Sequence, residues 1–141
     1  MKGLCKLVVK MGLLTLLSAM PLSAQIAIGL DFTTFFPFYV GNTKLPAGSY
    51  KVSQTNIDST ILLIESTNSV DSVYLDITST ETEQPHPQTE VTFHKYGGVD
   101  YLNQIWVQGQ SSGMQADPTK AETKAAASSS AEDHSVPAKK R

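Results

Sequence analysis

Three histidines, two neighbouring glutamates and a group of aromatic residues are the side chains of this 141-residue sequence that could do chemistry. His86, His94 and His134 invite a metal, but none has a second ligand at the short fixed spacing of metal motifs, so no metal is expected. Acyl-transfer chemistry needs a nucleophile, a base and an orienting acid. A serine, His94 and Asp100 could meet only by folding, and no Gly-x-Ser-x-Gly elbow is present. Glu81 and Glu83 lie two apart and invite comparison with the paired carboxylates of a glycosidase, yet their segment is polar and reads as a solvated charge run. These residues point to no catalytic site and no cofactor. Binding potential rests on Tyr96, Tyr101 and Trp106, which cluster around one hairpin, while Phe35, Phe36, Phe38 and Tyr39 crowd another strand. Exposed aromatics make platforms for sugars or apolar partners, but core packing is the commoner use of such residues.

The elements that must position these residues are strands. From residue 26 to 108, Val, Ile, Thr, Tyr and Phe dominate and no apolar 3.6-residue period of helical length occurs. The spacing predicts strands at 26–33, 35–40, 49–55, 60–65, 72–78, 90–96 and 99–108. Val73, Leu75 and Ile77 alternate with Tyr74, Asp76 and Thr78, which marks one buried and one wet face. Gly97-Gly98 suits a two-residue turn that places Lys95 opposite Asp100, Phe93 opposite Leu102 and Val91 opposite Gln104. That register puts Trp106 on the face of Leu102, inside the core. Leu45-Pro46-Ala47-Gly48 reads as a turn, with a hairpin expected between strands ending at Asn42 and resuming at Tyr50. The polar segment 79–88, with two prolines, reads as a loop.

The ends differ from this middle. Lys2, Lys6 and Lys10, the apolar run 11–20 and Pro21-Leu-Ser-Ala24 have the layout of a secretory signal peptide, with cleavage after Ala24. The apolar run is shorter than the roughly 20 residues of a membrane span. Cys5, the only cysteine, lies in that leader, so a mature chain would rely on packing without disulfides. The leader also takes three of the eleven basic residues, leaving eight against thirteen acidic ones. An acidic balance with a single arginine, Arg141, argues against nucleic-acid binding. From Gly109 onward Ser, Gly, Ala, Lys and Glu replace the β-branched residues. Residues 109–141 read as a low-complexity, flexible tail, with a short helix at 118–127 capped by Asp117.

Two segments carry a resemblance. Phe38-Tyr-Val-Gly-Asn-Thr-Lys-Leu-Pro-Ala-Gly-Ser-Tyr-Lys-Val52 and Phe93-His-Lys-Tyr-Gly-Gly-Val-Asp-Tyr-Leu-Asn-Gln-Ile-Trp106 resemble the signature of a family of small exported β-rich proteins common in acidobacterial genomes. The tyrosine of Asp100-Tyr101-Leu102 is shifted by one position from the family pattern. The resemblance implies export and a β-rich domain, and brings no activity or site residue. The whole reading is an all-β protein: residues 1–24 a signal helix, 25–108 a single antiparallel sandwich or small barrel of about seven strands, then the tail. The expected function is a non-enzymatic binding or structural module, periplasmic or extracellular, whose partner is another envelope protein or a glycan. An outer-membrane component and, behind it, a small secreted hydrolase are the alternatives.

Overall fold

Alternation of apolar and polar side chains shapes nearly every strand of the computed structural model, which describes residues 29–54 and 60–141. The leader and its cleavage site lie outside the described residues. The strands are β1 (Gly29–Thr34), β2 (Phe38–Val40), β3 (Thr43–Leu45), β4 (Gly48–Gln54), β5 (Ile61–Ser66), β6 (Ser72–Glu81), β7 (Glu90–Tyr96), β8 (Val99–Trp106), β9 (Ser112–Ala116) and β10 (Glu132–Lys140). One helix, α1 (Lys120–Ser128), links the last two. Among the described residues, no helix is long and apolar enough to cross a membrane.

Eight strands close into an antiparallel barrel in the order β8-β7-β10-β1-β4-β5-β6-β9, with β9 returning to β8. Two meanders build most of it: β1-β4-β5-β6, and β7-β8-β9, which joins β6 through β9. The remaining gap, between β7 and β1, is filled by β10. Leu30, Val52, Leu62, Ile64, Val91 and Phe93 point inward and are fully buried. Burying side chains of this size contributes about 1.5–3 kcal/mol each, so the interior is a packed core and not a channel.

One end of the barrel is plugged. β2 and β3 form a hairpin, and β2 adds to β8 through the parallel pair Tyr39–Tyr101. Phe38, Val40 and Leu45 are buried there, with the Phe38 ring 5.2 Å from Tyr50 and 5.3 Å from Phe93. Tyr50 explains the Leu-Pro-Ala-Gly-Ser-Tyr run. Its hydroxyl, inside the plugged end, donates to the Pro46 carbonyl and so ties the turn back onto the strand that follows it.

The all-β class and the small-barrel alternative hold, while the sandwich and the strand count do not. The expected flexible tail supplies β9, α1 and β10, so it is part of the wall. The hairpin expected between residues 42 and 50 is corrected too, because β2 pairs with β3 and β4 lies between β1 and β5. The helix begins two residues late, with Thr119 as its N-cap accepting from the Glu122 N–H at 3.1 Å. Asp117 is not the cap, and its own N–H bonds to the Asp76 carbonyl at 3.3 Å.

A last correction concerns register. Gly97 and Gly98 both take positive φ, 57° and 83°, and the two-residue turn does place Lys95 opposite Asp100 and Phe93 opposite Leu102. Asn103 then bulges, and the pairing resumes as Thr92–Gln104 and Val91–Ile105. A one-residue slip reverses every later side chain. Leu102 and Ile105 therefore both face the core, and Trp106 faces out.

Removing the Tyr50 hydroxyl tests the tie. Tyr50→Phe should cost about 1–3 kcal/mol, the range for losing a hydrogen bond and leaving its partner unsatisfied. Tyr74→Phe, on the exposed outer face, should stay within about 0.5 kcal/mol. Urea melts of the two variants, with unchanged slopes, are the measurement.

Candidate functional site

The unplugged end of the barrel keeps a cavity of about 520 Å³, where β4 ends, β5 begins and β6, β8 and β9 converge. Ile77, Ile105, Val107 and Met114 make an apolar floor, and Gln54, Thr60, Thr78, Ser79, Gln110 and Ser112 make a polar rim. Alternation produces this arrangement: Ile77 is the last inward apolar residue of β6 before it turns polar, and Met114 is the first of β9 after its polar start. Among the described residues, no charged side chain lines the cavity. The sequence reading missed these residues because none is of a type whose presence alone signals chemistry, and Met114 fell in the segment read as tail.

The three aromatic candidates lie elsewhere, on the outer surface, in two separate groups. Tyr101 is buried between Tyr39, stacked at 5.4 Å, and Tyr96 at 6.0 Å, and Tyr96 in turn lies 5.8 Å from His94. Burial pushes both the Tyr96 and Tyr101 phenols up, helped by Glu122 and then Asp133 at Tyr96, and by Tyr39 and then Glu122 at Tyr101. Trp106 is 4% exposed although it faces away from the core. Its floor is Gly113, where a Cβ would lie 2.7 Å from the indole, so only glycine admits the ring this close. Its roof is His86, stacked parallel at 4.7 Å, and its indole N–H donates to Gln104 at 3.0 Å. None of the three is an open platform.

Each histidine has a carboxylate partner. His86 bonds to Glu90 at 2.7 Å, His94 to Asp133 and His134 to Asp100. The serine–His94–Asp100 arrangement does not form, because Asp100 turns to His134 on β10 and no hydroxyl bonds to His94 among the described residues. Beside His94 lies a smaller cleft of about 280 Å³ under α1, lined also by Tyr96, Asn103, Gln115 and Glu122. Burial raises the Glu122 carboxyl, with the His94 charge opposing it. Among the described residues, no group of three or more His, Cys, Asp or Glu is placed to hold a metal. Glu81 and Glu83 are exposed at the end of β6 and in the loop after it.

The loop 82–89 covers Trp106 because it is zipped to the β8–β9 connection. His86 N–H donates to the Gln110 carbonyl at 2.8 Å, and Gly109 N–H to the His86 carbonyl at 2.9 Å. Burial opposes ionisation of Glu90, but hydrogen bonds from His86, Gln88 and Ser135 and the imidazole charge outweigh it, holding the carboxyl below its ordinary value. No protein-family model, curated protein or solved structure matches this chain.

Two outcomes follow for this surface. Trp106→Ala should cost about 3 kcal/mol, the lower part of the range for truncating a buried aromatic, since the loop above can partly collapse into the space. Thermal melts measure it. Glu90, being depressed, contributes stability that is present at neutral pH and lost as pH falls through its folded-state value. Emission from Trp106, the only tryptophan, should stay constant down to pH about 4.3, the ordinary glutamate value, and redden below it. In Glu90→Gln the emission should already be red at neutral pH.

Proposed function

We propose that this protein is an exported, non-enzymatic binding barrel that holds a small uncharged ligand, apolar with one hydrogen-bonding end, in its unplugged mouth. The observation that carries this reading is the asymmetry of the two ends. One is filled by Phe38, Val40 and Leu45, whereas the other leaves about 520 Å³ over an apolar floor. This volume falls within the roughly 300–1,000 Å³ of ligand sites. The uncharged lining among the described residues sets the ligand class. An ionised group placed there would lose hydration without a counter-charge, at a cost of several kcal/mol.

Export is supported by the leader-like N-terminal sequence and by the resemblance to exported β-rich proteins, and it gives a periplasmic or extracellular location. The alternative of an outer-membrane component now meets the smallest strand number for such barrels. Its polarity is the reverse of what lipid requires: Asp31, Lys51, Glu65 and Asp76 point outward while the interior is aliphatic and aromatic. The hydrolase alternative has a cleft at His94 and an acid partner but, among the described residues, no nucleophile bonded to the imidazole.

Displacement of a neutral fluorescent apolar dye tests the proposal. 1-Decanol should displace it and decanoate should do so at least tenfold less well. Ser79→Trp, a rim change at an exposed position, should abolish dye binding without moving the melting temperature. Failure of the wild-type protein to bind the dye or decanol would remove the reading.

A further inference from the structure

β10 is unlike the other seven wall strands. Its sequence, Glu-Asp-His-Ser-Val-Pro-Ala-Lys-Lys, offers the core only His134, Val136 and Ala138, and none of its residues is fully buried. Pro137 withdraws one backbone donor in mid-strand. The strand pairs with β7 over Glu132–Pro137 but with β1 only over Ala138–Lys140. Beyond Phe32 the two strands part, and an opening of about 830 Å³ lies between them, lined by Phe32, Phe36, Tyr50 and His134. Phe35, at its edge, is 93% exposed.

What holds β10 is its backbone ladder and a few polar clamps. His134 reaches Asp100 across β7, Arg141 sits 3.1 Å from Asp31 and donates to the Val52 carbonyl, and its N–H bonds to Gly29. Little apolar burial has to be undone to release the strand, so the hydrophobic part of its opening cost is small. Its tether is equally loose. α1 buries no residue, and residues 117–131 could span roughly 50 Å if extended.

We propose that the slot between β7 and β1 is a strand-acceptor site, and that its partner is β10 of a second copy of this chain, giving a reciprocally exchanged dimer. The occupant is named by the structure, because β10 itself shows which sequence fits. An exchanged strand remakes every contact of the closed monomer, so the dimer gains or loses only the tether's strain and the association entropy, and concentration decides the balance. This interaction is independent of the mouth cavity at the other side of the core.

Cross-linking between copies reads it directly. Thr92 on β7 and Ser135 on β10 are register partners. In a Cys5→Ser background, full-length Thr92→Cys and Ser135→Cys chains are mixed at millimolar concentration, passed through partial denaturation, diluted and oxidised. Exchange gives a covalent heterodimer whose disulfide, between position 92 of one copy and position 135 of the other, is identified by mass spectrometry. Its yield rises at least tenfold when the mixing concentration is raised from micromolar to millimolar. Light scattering of the wild type treated the same way shows a dimer that dissociates over hours. A wild type that remains monomeric throughout, or heterodimers in equal yield at every concentration, would overturn the proposal.

Discussion

Closure of the hydrogen-bond ladder is the constraint on which the rest of this molecule depends. Two meanders, joined along β6 and β9, would leave β7 and β1 as facing edges with unpaired N–H and C=O groups over an apolar interior. Such edges are templates for aggregation. A strand too polar to drive its own burial meets this need, because its task is to satisfy backbone and not to fill volume. The core can then be built by the meanders, whose inward residues carry the hydrophobic stabilisation, and the plug and mouth at the two ends differ only in which connections fold inward.

How much of this was legible follows from the same division. Strands whose stability comes from apolar alternation, such as Val73-Leu75-Ile77 and Val91-Phe93, announce themselves in the sequence and appear where the pattern places them. β10 was illegible because its warrant is the two edges beside it, which no local pattern encodes. The β7–β8 turn was legible from Gly97-Gly98, yet the bulge at Asn103 was not, and that single residue moved Trp106 from the core to the outer face. The mouth cavity was invisible for a related reason: its lining comes from the ends of separate strands, and such a convergence has no local motif.

The histidine–carboxylate pairs show how polar contacts are used where apolar burial is thin. Glu90–His86 pins the loop over Trp106, Asp133–His94 joins β10 to β7 on the outside, and Asp100–His134 joins β10 to β8 toward the plugged end. All three lie on the side of the barrel where the C-terminal strand is inserted. The outer aromatics belong to the same system. His86 covers the indole, and Tyr96 and His94 sit beside Asp133, so residues with the look of a binding platform serve to seal joints.

The neighbourhood of β1 and β10 has a consequence for synthesis. The first and last strands of the described wall are partners, so the circuit cannot be completed while the C-terminal residues are still in the ribosome. Until Lys140 and Arg141 emerge, the β1 edge has no mate and the anchoring of Arg141 to Asp31 and Gly29 does not exist. A nascent chain of this topology therefore stays short of its native state until residues 132–141 have left the ribosome and can pair with β1 and β7.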